Sequence, residues 1–288
     1  MAIRKLTLGC LYPDIMSAHG DRGNVAAIVR RCGWRGIDTE VWELSLGDPV
    51  DADDLDLLVI GNGGEPRQRL VAPDLAEVKG PGLREAVAQG AALLAVGGGY
   101  ELLGRYYQPS RGVELPGAGL FDTWAIRHGD DLSPACSAVS GSAASGSAAS
   151  GSAASSGPAG RVIGGLLVRW GGEFLVGYEN HSARTYLGPT AHALGHVITG
   201  HGNNGDGREG VRLGSAVGTY LRGPCLPRNP ALADFLIRGA LLRRYGDARL
   251  QPLPDKLEML ARQTAVRGLG APARTWQRNG AARALCRW

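Results

Sequence analysis

The stretch that most constrains this chain runs from Ala91 to Gly104. The apolar run A-A-L-L-A-V stops at three consecutive glycines, and Tyr100, Leu102 and Leu103 follow at once with helical spacing. A buried strand, a sharp turn and a helix in immediate succession outline a nucleophile elbow, in which the first N–H groups of the helix point at whatever occupies the turn. The apex of such a turn is held in a strained conformation and ordinarily carries an attacking Ser or Cys. Here the apex is Gly97. Glycines after a strand also serve doubly wound proteins as a phosphate cradle or a plain tight connection, so the reading depends on the rest of the chain.

Preceding segments alternate. Ile3 to Leu11 reads as a strand, Gly23 to Cys32 as a helix with Val25, Ile28 and Val29 on one face, and Thr39 to Leu44 and Asp56 to Ile60 as further strands. The last of these is nearly all apolar, as a fully buried parallel strand should be, and runs into a second glycine turn, I-G-N-G-G-E-P. Leu83 to Ala88 reads as a helix leading into the Ala91–Val96 strand. Such alternation predicts an α/β fold with an open, mostly parallel sheet flanked by helices. Both glycine turns then sit at strand carboxyl ends and face one crevice, where open α/β sheets place their sites.

Beyond Ala118 the character changes. Gly119 to Ile126 reads as a strand, after which G-S-A-A-S repeats three times between Gly141 and Ser155. The insertion, about 131–160, has almost nothing to bury and is expected to be a flexible loop. Arg161 to Trp170, Glu173 to Tyr178 and Ala193 to Thr199 read as strands, with Gly171-Gly172 as a hairpin turn. Ala216 to Leu221 reads as a returning strand, and Asn229-Pro230 opens a helix through Leu242. The expected division is a main domain over 1–245 and a basic tail over 246–288. Beyond Glu258 that tail carries Arg262, Arg267, Arg274, Arg278, Arg283 and Arg287 with no acid among them, and a solvated tail is expected.

Composition narrows the function classes. A formal net charge of +4 with 20% charged residues gives no reason to expect nucleic acid. No apolar run is long enough to span a bilayer, and M-A-I-R-K-L-T-L-G-C lacks a signal peptide's apolar core. The five cysteines (Cys10, Cys32, Cys136, Cys225, Cys286) are scattered with no C-x-x-C pair, which argues against structural zinc or a disulfide framework and for a reduced cytoplasm. The six histidines lack the paired spacing of a metal site. Of these, His181 reads as a structural or pocket-edge residue, and His19 and His201 sit in glycine-rich loops near the crevice. Asp21 and Glu179 either face the crevice or a partner, or hydrogen-bond within turns.

Taken together, several strings resemble one family. They are Y-P-D-I-M with G-D-R-G-N (Tyr12 to Asn24), the turn at Gly61 to Gly64, the elbow at Val96 to Gly104, G-Y-E-N-H-S-A-R-T-Y (Gly177 to Tyr186), G-H-G-N-N (Gly200 to Asn204) and G-T-Y-L-R-G-P-C-L-P-R-N-P (Gly218 to Pro230). In this order they resemble the glutaminase (GatD-like) subunits of lipid II isoglutaminyl synthase, within the class I, cobyric-acid-synthase-type glutamine amidotransferases. The resemblance implies a flavodoxin-like amidotransferase fold with an elbow cysteine that attacks the side-chain amide of glutamine, giving a thioester and ammonia. A histidine from the end of a later strand would activate the thiol, and backbone N–H groups of the two glycine turns, at Gly63 and Gly98, would hold the oxyanion. It also implies a heterodimer with a Mur-ligase-like, ATP-dependent subunit that uses the ammonia to amidate D-glutamate in the lipid II stem peptide, with no cofactor or metal in the glutaminase half.

Against that pattern this chain departs at its chemical positions. The nucleophile falls on Gly97, the catalytic histidine on Arg222, a glutamine of the substrate side on Glu101, and a glycine of the oxyanion turn on Asn62; Arg161 matches an arginine expected to bind the substrate carboxylate. Glycine is comfortable at an elbow apex, and arginine is no base near neutral pH. The expectation is a scaffold that keeps its docking role in cell-wall synthesis without thioester chemistry. Its rivals are a regulatory homologue or a binding module in which Glu101 and Arg222 offer opposite charges to another small molecule.

Overall fold

The computed structural model describes residues 4–18, 20–128, 155–157 and 160–269. In chain order the elements are β1 (Arg4–Leu11), α1 (Arg22–Gly33), β2 (Ile37–Leu44), β3 (Leu57–Ile60), α2 (Glu65–Asp74), α3 (Gly80–Ala88), β4 (Ala92–Val96), α4 (Gly98–Leu102), β5 (Tyr106–Gln108), β6 (Leu115–Pro116), β7 (Thr123–Arg127), β8 (Ser155–Gly157), β9 (Arg161–Trp170), β10 (Glu173–His181), β11 (Ala183–Leu187), β12 (Gly195–Thr199), β13 (Arg208–Glu209), β14 (Val211–Leu213), β15 (Ala216–Thr219), α5 (Pro230–Tyr245) and α6 (Lys256–Gly268).

The central sheet has the order β14-β15-β4-β3-β1-β2. Every neighbouring pair in it is parallel except β14 with β15, which closes one edge as a short antiparallel hairpin. Read from the other edge, 2-1-3-4 followed by the late strand β15 is the flavodoxin-like order. The central strands explain themselves: every residue of L-L-V-I in β3, A-L-L-A-V in β4 and A-V-G-T in β15 is buried, the pattern of strands covered on both faces. Helix α5 crosses β1, β3 and β4 and packs against α1.

Two smaller sheets flank the carboxyl end. One joins β10, β9, β12 and β13, with β8 also pairing β9; the other has the order β11-β7-β5-β6. The first is tied to the central sheet at two places. Backbone bonds run both ways between Tyr178 and Arg222, and the Asn229 side chain accepts from Val176 N (2.9 Å) and donates to the carbonyls of Val176 (2.8 Å) and Cys225 (2.7 Å).

Three expectations need correction, and one helix was not foreseen. The strand expected from Gly119 begins only at Thr123, because the backbone N–H groups of Ala118, Gly119, Leu120 and Phe121 are spent on the carbonyls of Leu102, Gly104 and Leu103 at the end of α4. Helix α2 was not expected at all: its stripe is weak, Pro73 lies inside it, and it passes into α3 through a π-helical turn at Leu75–Lys79. The insertion expected over 131–160 lies mostly outside the described residues, but Ser155–Gly157 form β8, pairing with Arg161–Ile163 through backbone bonds that need no apolar side chain. The tail is not wholly loose either. Within it, α6 buries Val266 against Leu167 and Val176, and Arg262, 4% exposed, lies 3.4 Å from Glu173, an acid supplied by β10 rather than by the tail. The remaining tail arginines beyond Arg267 lie outside the described residues. Among the described residues no helix is long and apolar enough to cross a membrane, and no group of three or more His, Cys, Asp or Glu side chains is placed to hold a metal ion.

Candidate functional site

Strands β3, β4 and β15 end side by side, so the turns that follow them meet. Gly97, with φ +54° and ψ −116°, stands between β4 and α4, and its N–H donates to Thr219 O of β15 (2.9 Å). That conformation is costly for any residue with a Cβ. The second and third glycines are required by proximity: a Cβ at Gly98 would collide with the Gly63 carbonyl, and one at Gly99 would lie 2.6 Å from Gly61 O. The two glycine turns anticipated from sequence are therefore packed backbone to backbone.

The space between the two turns holds a side chain of the protein. Asn62 Oδ1 accepts from Gly98 N (2.9 Å) and from Arg222 Nη2 (2.6 Å). A Cβ built on Gly97 would lie 2.5 Å from Asn62 Oδ1 and 2.7 and 2.9 Å from Nη2 and Nε of Arg222, so the ends of those two side chains would have to shift to admit one. The Asn62 backbone is clamped on both sides: its N–H donates to Asp21 Oδ2 (2.6 Å) and its carbonyl accepts from Ala18 N (2.9 Å).

Arg222 is 6% exposed, and burial lowers its proton affinity, opposed by the negative charges of Glu101 and Asp21 and by the Tyr220 side chain, and assisted by the Arg161 cation. Guanidinium basicity is so high that it stays charged. Its Nε is buried without a hydrogen-bond partner. Glu101 is also buried and makes no ion pair with Arg222: one oxygen accepts from Gln68 Nε2 (2.6 Å) and the other from the Tyr220 hydroxyl (3.1 Å). Both Glu101 oxygens are thus engaged within the protein, while Arg222 Nε has no partner. Arg161 sits on the exposed rim at the start of β9, donating from Nε to Asn180 Oδ1 (2.5 Å).

The remaining candidates fall into place as supports. Glu179 is fully buried and accepts from the backbone N–H groups of His201 (2.7 Å) and Gly202 (2.9 Å), fixing the G-H-G-N-N loop. His181 is buried, stacks on Tyr220 at 3.8 Å between centroids, and is hydrogen-bonded through Nδ1 to Ala183 O (2.8 Å). His19 lies outside the described residues. No thiol stands at the elbow, and burial pushes those that are described up: Cys10 to about 11, Cys32 and Cys225 to about 12. A protonated thiol is a poor nucleophile. Gln68 and Tyr220 escaped notice in the sequence. Gln68 belongs to the unexpected helix α2, whereas Tyr220 sits in a matching string without any residue-level signal of its contact to Glu101.

Two buried carboxyls give the site a pH signature. Burial raises Asp21 to about 6, against the pull of Asn62 N–H and Arg222, and raises Glu209 to about 7, against bonds from Thr219 and the Tyr220 N–H. Both bind a proton more readily folded than unfolded, so their stabilising effect is full below the unfolded values (3.8 and 4.5) and lost as pH rises through about 6 and 7. Urea unfolding of Glu209→Gln and Asp21→Asn should therefore show a shallower fall of stability from pH 5 to 7 than the parent, by roughly 1 kcal/mol per pH unit for each group. An unchanged slope in both variants would contradict the assignment.

The chain is similar to two proteins named lipid II isoglutaminyl synthase (glutamine-hydrolyzing) subunit GatD. It is 29% identical to that of Staphylococcus aureus over 92% of this chain and 96% of the relative, and 28% identical to that of Streptococcus pneumoniae over 88% and 87%. It is also 30% identical to the cobyric acid synthase of Pelotomaculum thermopropionicum over 69% of this chain but only 34% of that longer protein. The sequence pattern of the CobB/CobQ-like glutamine amidotransferase domain matches residues 7–230, a span that takes in both glycine turns, β15 and Arg222. Together with the parallel sheet and its elbow, that match settles the family: this chain belongs to the CobB/CobQ-like glutamine amidotransferases.

Proposed function

We propose that this chain is the amidotransferase-type subunit of a lipid II isoglutaminyl synthase, bound as a heterodimer to a Mur-ligase-like, ATP-dependent subunit, and that it does not itself hydrolyse glutamine. Similarity to two subunits of that name over nearly the whole length supports the assembly. The loss of hydrolysis rests above all on one observation: the apex of the elbow is Gly97, which offers no nucleophile, and the groups facing it are Asn62 Oδ1 and the Arg222 guanidinium.

Thioester chemistry asks for a nucleophile, a base within hydrogen-bond reach and free donors for the oxyanion. Gly97 has no side chain, Arg222 cannot take a proton, and the Gly98 N–H is already bonded to Asn62. The three requirements fail at three different residues. A subunit of this kind acts as a docking or regulatory half, and the ligase draws on free ammonia.

The test is a paired assay on the purified chain, alone and with its Mur-ligase-like partner. Glutamate release from glutamine should stay at background in both. The complex should amidate its acceptor with ammonium chloride and fail with glutamine. Robust glutamine-dependent turnover refutes the loss of chemistry, and failure to form a complex refutes the assembly.

A further inference from the structure

We propose that the crevice at Arg222 is a small-carboxylate site held shut by the Asn62 side chain, which acts as an internal occupant. The inference rests on the non-hydrolysing reading above, but its readout is anion binding rather than glutamate release, so either can fail without the other.

Three donors converge where Asn62 reaches. Gly98 N–H and Arg222 Nη2 both end on Asn62 Oδ1. The third, Arg222 Nε, is buried and has no hydrogen-bond partner, although a built Cβ on Gly97 would lie only 2.9 Å from it. A buried donor left unpaired is costly, and a charged one more so. The carboxamide satisfies only part of this demand because it offers a single acceptor oxygen. A carboxylate offers two and fits the guanidinium fork in bidentate fashion, taking Nε and Nη2 together. It is also the same planar, three-atom group in size as the carboxamide it would replace. A tetrahedral anion can also bridge the fork, but it needs more volume than the carboxamide leaves.

Charge agrees with this chemistry. Arg222 has no carboxylate within ion-pair distance among the described residues. Glu101 is engaged by Gln68 and Tyr220, and Asp21 Oδ2 by the Asn62 N–H. Arg161, on the rim, adds a second positive charge that Arg222 senses. Glu101 first and Asp21 after it oppose an entering anion while ionised. The fork of Arg222 is preorganised by its bond to Asn62, and it lacks an open volume because Asn62 stands against it.

The experiment uses the full chain and acetate as the probe. In the wild-type protein the Gly98 amide should be protected from solvent exchange, and its ¹⁵N–¹H resonance should not move as acetate is added. Asn62→Ala should bind acetate at least about tenfold more tightly than wild type, with the Gly98 resonance shifting in a saturable way. The double variant Asn62→Ala, Arg222→Met should lose that gain. A wild-type Gly98 amide that exchanges freely or titrates with acetate overturns the proposal without any variant. So does a folded Asn62→Ala protein that binds no acetate, or binding that survives removal of Arg222. Should Asn62→Ala fail to fold, Asn62→Ser is measured in its place under the same criteria.

Discussion

Placing cysteine at position 97 alone should give a less stable protein that still releases no glutamate from glutamine. The new Cβ must sit at φ +54°, which costs about 1–3 kcal/mol for a residue other than glycine. It must also displace Asn62 Oδ1 and Arg222 from contacts of 2.5 to 2.9 Å, breaking the bonds that hold the buried guanidinium. Together these amount to roughly 3–5 kcal/mol, or a fall in Tm on the order of 10 °C for a domain of this size. The thiol would lie beside a guanidinium and ionise readily, so alkylation by iodoacetamide should be fast. Turnover should be absent, because no group at 222 can pass a proton to the departing nitrogen. Adding Arg222→His removes one obstruction and supplies a base, yet leaves Gly98 N–H bonded to Asn62. Only the triple replacement Asn62→Gly, Gly97→Cys, Arg222→His frees the cradle, and glutamate release should rise at least about 10²-fold above the double replacement, the scale of one oxyanion donor. The three positions act as a unit, so single replacements should recover almost nothing. Glutamine turnover by Gly97→Cys alone, or equal activity of the double and triple replacements, would remove Asn62 from the account.

Asn229→Ala should be among the most destabilising single substitutions in the chain. The side chain is fully buried and makes three hydrogen bonds, two to Val176 on β10 and one to the Cys225 carbonyl before α5. Truncation strands the N–H and carbonyl of Val176 and the carbonyl of Cys225 in the interior, at about 1–3 kcal/mol each with partial relaxation. A loss of roughly 3–5 kcal/mol follows, measurable as a shift of the urea midpoint at unchanged slope. The effect should also reach the crevice. Residue 229 anchors β10 to the segment after β15, two residues along β10 from the backbone pairing of Tyr178 with Arg222. A loss under 1 kcal/mol would show that this junction contributes little to stability.

The fold was legible where side-chain pattern and burial coincide. The apolar runs of β3 and β4 mark strands covered on both faces, and glycines at their ends announce a place where two backbones touch. Helix α2 was hidden by Pro73 and a weak stripe, yet it holds Gln68 against Glu101. Helix α6 was hidden among basic residues whose counter-charge, Glu173, lies 89 residues away. In both cases tertiary contacts stabilise a helix whose own sequence is a weak advocate for it. The first of the two flanking sheets shows the converse. Its β9–β10 hairpin was readable because Gly171, at φ +56°, allows the tight turn that pairs Trp170 with Glu173.

For the site, sequence alone determined what the single positions carry: no thiol at 97, no imidazole at 222, and glycines where backbones must meet. Those are properties of single positions, readable one at a time. What stands between the two turns was decided only by the tertiary structure, because the donors that meet at Asn62 Oδ1 come from residues 36 and 160 positions away in the chain. Which way a buried amide or guanidinium points is set by the hydrogen bonds that its surroundings leave open, and those surroundings exist only once β3, β4 and β15 lie side by side.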